Sequence, residues 1–171
     1  MVTATNYIIL VDTREQKNDH ILNYFKQNSI PYRLQKLDYG DYSIIDDSNM
    51  VMPISIERKA SIDELINNFT NGRERFVEEF RRAIIKQCTL ILMVEDLYGY
   101  KKIVHGVYRS KMNQNALLGS LKTFESRYFF QTSFIQKELA GHFIYNTLLY
   151  NAREYKKLIE FDNKIFSSKA N

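Results

Sequence analysis

The chain has 171 residues and a mass of 20.3 kDa, 44% of them apolar and 26% charged. That is enough for one domain burying roughly 70% of its unfolded surface and too little for a second full one, so residues 1–171 read as a single domain. No stretch approaches the roughly 20 uninterrupted apolar residues of a membrane span, and the start, MVTATNYIILVDTREQ, lacks a basic n-region and reaches Asp12 early. These features predict a cytoplasmic protein. One cysteine, Cys88, excludes an internal disulfide and a cysteine-based zinc site; its apolar neighbours make it a core side chain.

The net charge of +4 is unevenly spread. Residues 1–100 carry 12 Lys/Arg against 15 Asp/Glu, and residues 101–171 carry 12 against 5, balances of −3 and +7. A carboxylate-bearing half that holds cations, joined to a basic half that holds phosphates, suits a metal-dependent enzyme acting on a polyanion. A solvated basic surface is the plainer alternative.

In chain order, Tyr7–Val11 reads as a buried strand, and Asp19–Gln27 as a helix with Ile21, Leu22 and Phe25 on one face. Arg33–Leu37 and Tyr42–Ile45 read as strands around the turn Asp38-Tyr-Gly-Asp41, followed by an alternating strand over Val51–Arg58. Ser61-Ile-Asp-Glu64 is a capping box that starts a helix over residues 62–69. Glu74–Lys86 is an amphipathic helix, and Leu90–Val94 a second buried strand. Residues 96–114, with Gly99 and Gly106 and no clear period, read as a long, basic, partly mobile loop. Ala116–Arg127 reads as a helix, Phe129–Phe134 as a strand, and Lys137–Ile159 as one long helix or two joined ones. Helices between strands make the class α/β.

The sharpest chemical signal is Ile56-Glu57-Arg58-Lys59 at a strand end. Period-2 geometry sends Glu57 and Lys59 to one face and Arg58 to the other. Glu57 can bind a hard cation such as Mg²⁺, and Lys59 can orient water or balance charge on a phosphate. Asp41, at the turn before a neighbouring strand, is the candidate second ligand, and this Asp, spacer, Glu-x-Lys order is the PD-(D/E)XK nuclease signature. The competing reading is an ion pair on an edge strand. Val11-Asp12-Thr13-Arg14-Glu15 adds two carboxylates and a guanidinium where the first strand ends, a common ligand position in open α/β sheets. Asp63 lies in the first turn of the capped helix, and Arg73 follows Gly72.

Leu37-Asp-Tyr-Gly-Asp41, Glu57-Arg58-Lys59 with Asp63, and Val11-Asp12-Thr13-Arg14-Glu15 together resemble the nuclease domain of the XPF family of structure-specific endonucleases. Ser110–Gly119, Ser120-Leu-Lys and Arg127-Tyr128 are similar to the later part of small stand-alone phage and bacterial members. The resemblance implies a restriction-endonuclease-like α/β fold, a mixed central β-sheet flanked by helices, with the acidic cluster at one edge. It implies a Mg²⁺- or Mn²⁺-dependent endonuclease for branched DNA, with Asp41 and Glu57 as principal metal ligands and Lys59 orienting water. Asp12, Glu15 and Asp63 would complete the metal site, while Arg14, Arg58 and Arg73 match its basic positions. The glutamine many members carry after Gly-Arg is missing from Glu74-Arg-Phe-Val-Glu-Glu79, and the protein is expected to lack the helix-hairpin-helix repeats of larger members. Lys101, Lys102, Arg109 and Lys111 are therefore expected on the DNA, or a partner protein delivers it. A homodimer through Phe143, Ile144, Leu148 and Leu149 is also expected.

His20, His105 and His142 lack metal-ligand spacing, and Phe76, Phe80, Phe129 and Phe143 recur at core-like spacing. Tyr98, Tyr100 and Tyr108 are the better base-stacking candidates. Tyr39 and Tyr42 flank Asp41 and are expected to wall the site. A non-cleaving DNA-binding scaffold and a restriction enzyme or exonuclease of the same fold remain the alternatives.

Overall fold

The computed structural model describes residues 7–169, with side chains described for 7–162. The first six residues, on which the reading of the N-terminal start partly rests, lie outside that range. Six strands, β1 (Tyr7–Val11), β2 (Tyr32–Leu34), β3 (Tyr42–Asp46), β4 (Val51–Lys59), β5 (Thr89–Val94) and β6 (Thr132–Phe134), form one mixed sheet in the order β2-β1-β3-β4-β5-β6. β3 is antiparallel to both its neighbours; the other pairings are parallel. The helices are α1 (Asp19–Gln27), α2 (Ile62–Phe69), α3 (Arg73–Ile85), α4 (Gly99–His105), α5 (Gln114–Tyr128) and α6 (Ala140–Lys169). None is long and apolar enough to cross a membrane among the described residues.

Alternation along the strands builds two cores, one on each face of the sheet. Met52, Ile54 and Ile56 of β4 face α1 and α6, meeting Ile21, Phe25, Ile144 and Leu148. Leu90, Leu92 and Val94 of β5 face α2, α3 and α5, meeting Leu65, Phe76, Phe80 and Phe124. The Phe76 and Phe124 rings stack with centroids 5.6 Å apart, inside an aromatic cluster that includes Phe69, Phe80 and Tyr128. Truncating one such fully buried ring costs about 3–5 kcal/mol. Ser61 caps α2 as its pattern predicts, its Oγ accepting from Glu64 N at 3.2 Å.

Several expectations change. Residues 96–114 are not a structureless loop. Gly99–His105 is a helix whose Ile103 is buried and whose C-cap, Gly106, has φ +67. Gly99, placed in that loop, is instead a packing residue: a Cβ there would stand 2.3 Å from Phe134 Cδ1 and 2.9 Å from Ile62 Cδ1. Phe129 is no core strand residue. It ends α5 in the left-handed conformation at φ +55, is 87% exposed, and delays β6 to Thr132. Ile144, Leu148 and Leu149 are buried against this chain's own sheet, with Phe143 packed beside them, so this face of α6 is not free to pair two copies. The strand after α1 is shorter than expected, because Leu37 turns away to donate its N–H to Asp12 Oδ2 at 2.7 Å.

Candidate active site

β4 is an inner strand, hydrogen-bonded to β3 and β5, so its charged end is not an edge-strand ion pair. The acidic cluster accordingly sits at one end of the inner strands rather than at a lateral edge. There the C-terminal ends of β1, β4 and β5 and the start of β3 converge. Asp12 N donates to Asp41 O, and Asp41 N to Ile56 O, each at 2.8 Å. Gly40 makes the entry to β3 possible, with φ +68 and no room for a Cβ, which would meet Ser55 Oγ at 2.2 Å.

Glu57 and Lys59 project to one face as period 2 requires, and they form a buried ion pair beneath the Phe76 ring. Asp41 Oδ2 accepts from Arg58 N at 2.7 Å. Burial, reinforced by the charge of Glu15, raises the Asp41 pKa against the opposing pull of Lys59. Burial and the neighbouring Asp41 also raise that of Glu57, again against Lys59. Burial lowers the Lys59 pKa, but the two carboxylates outweigh it and hold the ammonium charged. Glu57 Oε2 is buried and has no hydrogen-bond partner among the described residues. A buried orphan carboxylate oxygen beside a second carboxylate fits an oxygen-seeking cation.

Arg58 points to the opposite face. Its Nε and Nη2 grip Glu95 at 2.7 and 2.9 Å, and its Nη1 holds Glu15 at 2.5 Å. His20 Nε2 contacts the same Glu95 oxygen at 2.7 Å, tying in α1. Burial pushes the Glu95 pKa up, but hydrogen bonds from Arg58 and His20 bring it below the ordinary value. Tyr42 supports Glu15 from behind at 3.5 Å and receives the Asn18 amide at 3.1 Å. Tyr39 packs near the core beside Cys88, so neither tyrosine lines the cleft as expected.

The cleft over Asp41 and Glu57 is walled by Arg14, Glu15 and Lys59, and by Glu64, Asn68, Arg75, Glu79 and Arg82. Asp12 does not line it. Its two oxygens accept from Arg14 N, Nε and Nη2 at 2.7–2.8 Å and from Leu37 N, which fixes Arg14 at the rim. Burial raises the Asp12 pKa, but those hydrogen bonds outweigh it and hold it below the usual carboxylate range. Asp63 also stands outside the cleft, where it accepts Arg109 N at 2.9 Å. Arg73 turns back over the Phe124 ring at 5.3 Å. Lys101, Arg109 and Lys111 are exposed, and Lys102 pairs with Asp96 at 2.6 Å.

The residues that the motif did not mark include Glu64, Asn68, Arg75, Glu79 and Arg82 in the cleft wall and Glu95 behind it. Arg75, Glu79 and Arg82 recur at i, i+4 and i+7, one face of α3, and that periodicity was the available signal. Glu79 Oε1 accepts Gly40 N at 2.8 Å, and Arg82 Nε donates to Asp38 O at 2.9 Å. Together they pin the turn that carries Asp41.

The model of the ERCC4 domain family matches residues 11–147, which spans β1 to the first turns of α6. Among solved structures, XPF from Aeropyrum pernix matches with a TM-score of 0.62 at 17% identity, covering 94% of this chain and 73% of that one. No curated protein sequence gives a significant match. The matched span contains the whole cleft, and the α/β fold agrees with that of the XPF structure, so this chain belongs to the ERCC4 domain family.

Proposed function

We propose that this domain is a Mg²⁺- or Mn²⁺-dependent endonuclease that hydrolyses DNA phosphodiesters, with branched DNA (flaps, forks or junctions) as its substrate. The observation that carries the reading is the half-buried Asp41 beside the buried Glu57 and a charged Lys59, with Glu57 Oε2 lacking a hydrogen-bond partner among the described residues. Among the described residues no group of three or more His, Cys, Asp or Glu side chains is arranged to hold a metal ion, so any cation rests on fewer protein ligands. Two carboxylates are what Mg²⁺ uses when substrate phosphate and water complete its shell.

Asp41 and Glu57 would hold the cation, which supplies Lewis-acid polarisation of the phosphate and a more acidic water. Lys59 orients the water and offsets charge growing on the phosphoryl oxygens. Arg14, held by Asp12, and Arg75 offer guanidinium groups to the flanking phosphates at the rim. Arg58 stays structural, its guanidinium committed to Glu15 and Glu95. If two copies cooperate on a branch, they meet through surfaces other than the buried side of α6; its outer face exposes Tyr150, Leu158 and Phe161.

The test is cleavage of end-labelled linear, flapped and forked DNA with Mg²⁺ or EDTA, by wild type, Asp41→Ala and Glu57→Ala. Metal-dependent cutting near the branch, lowered by at least a thousandfold in both variants, is the expected result. A folded wild type that binds these DNAs and cuts none of them would replace the nuclease with a scaffold.

A further inference from the structure

Beyond the cleft, the segment after β5 forms a surface that the proposed chemistry leaves unused. From Leu97 to Asn113 it carries Lys101, Lys102, Arg109 and Lys111 and no acidic residue. Lys102 is paired with Asp96, whereas Arg109 reaches Asp63 only at 4.0 Å with its side chain 95% exposed. On this basic ground stand exposed apolar groups: Leu97, Tyr98, Tyr100, Val104 and Val107. Tyr98 is 64% exposed, and its ring meets no other ring or cation among the described residues. Tyr100 is propped edge-on against Phe134 at 6.2 Å, with Lys122 Nζ 5.6 Å from its centroid.

The surface is fixed and close to the cleft. Gly99 seats α4 directly on Phe134 and Ile62, and Ile103 anchors it from below. Val94, which ends β5, is in register with Lys59, and the next residue, Glu95, grips Arg58. Leu97 begins the patch two residues later. On the other side, Arg109 N is hydrogen-bonded to Asp63 in the first turn of α2.

We propose that this face receives the unpaired strand of a branched DNA, its bases stacking on Tyr98 and Tyr100 and its phosphates meeting Lys101, Arg109 and Lys111. The inference rests on the nuclease reading and specifies how a branch is recognised. A duplex keeps its base faces stacked on one another and would use only the cations, leaving the aromatic groups a cost in water. A single strand presents both a π-face and a phosphate for every nucleotide, which is the chemistry this surface displays. An acidic partner protein would match the charge but gives no reason for the free ring of Tyr98 and the half-exposed ring of Tyr100 among the cations.

The test is equilibrium binding in EDTA, by fluorescence anisotropy, of three labelled DNAs: an oligothymidylate, a fork with unpaired arms, and a blunt duplex. Wild type is compared with the Tyr98→Ala/Tyr100→Ala and Tyr98→Phe/Tyr100→Phe double variants, each first shown to keep its Tm. The alanine pair should lose about 10- to 100-fold in affinity for the oligothymidylate and the fork, while the blunt duplex changes less than twofold and the phenylalanine pair binds as wild type does. An equal loss on the blunt duplex, or unchanged binding of all three by the alanine pair, overturns the inference; the latter assigns the patch to a protein partner. A folded wild type that binds none of the three overturns the nuclease reading itself.

Discussion

Glu79 acts on the site without being marked by the motif. Its carboxylate accepts Gly40 N next to Asp41, and its charge adds to the field that raises the Asp41 and Glu57 pKa values. Glu79→Gln keeps the acceptor, and Glu79→Ala removes it. A displacement of about 1 Å at a reacting group costs on the order of 10²-fold. Glu79→Ala is therefore expected to lower kcat about 100-fold with unchanged DNA affinity, and Glu79→Gln to recover to within about tenfold of wild type; single-turnover cleavage with parallel binding assays measures both. An equal loss in the two variants would show that the charge, not the hydrogen bond, is what matters. At this scale the sequence was legible where chemistry is packed into a short span: Glu57, Lys59 and the turn to Asp41 announce themselves by residue type and strand period. Arg75 and Glu95 were hidden because their relation to the cleft exists only after α3 folds across the sheet and β5 aligns with β4.

Among the elements, the turn into β3 is the least tolerant. Gly40 sits at φ +68 with Ser55 Oγ where a Cβ would go, and that hydroxyl is itself bonded to Tyr39 O and Tyr42 O. Gly40→Ala combines left-handed strain with a clash, for an expected loss of about 2–4 kcal/mol in urea unfolding and a larger loss of cleavage than of DNA binding. The strands and helices with clear periods were readable because burial and period coincide, as in α2 with its Ser61 cap. The helix α4 was not readable. Glycine carries no record of whether it is there for a turn or for close contact, and Gly99 was there for contact. Phe129 misled in the opposite direction, since an aromatic residue at a helix end usually implies burial and here marks an exposed left-handed cap.

For the whole molecule, six carboxylates fall into two groups with opposite pH behaviour. Asp12, Asp46 and Glu95 titrate below their ordinary values, so they stabilise the fold above about pH 4 and that stabilisation fades as the pH falls through their folded values. Asp41, Glu57 and Glu15 titrate above theirs, so the folded state gives up stability as the pH rises through their range. Without divalent cation, calorimetric Tm should therefore peak in mildly acidic solution and decline as the pH rises through about 7, where Asp41 ionises. Mg²⁺ should flatten that decline by favouring the ionised pair. Asp41→Asn, which keeps an acceptor for Arg58 N, should raise Tm at pH 8 by a few degrees while abolishing cleavage; a fall in Tm would show that the ionised Asp41 contributes to the fold.

The position of β4 between two cores also determines how the protein responds to partial unfolding. Its Met52, Ile54 and Ile56 belong to one hydrophobic layer, and its Glu57 and Lys59 look into the other beneath Phe76. Neither layer can open without passing the strain to this strand and its partners β3 and β5. Its amides should be among the slowest to exchange with deuterium, at rates set by global rather than local opening. A population of molecules that is folded but has lost its cleft would then be negligible, and destabilising substitutions in either layer away from the cleft would lower the amount of folded protein without changing the turnover of each surviving copy.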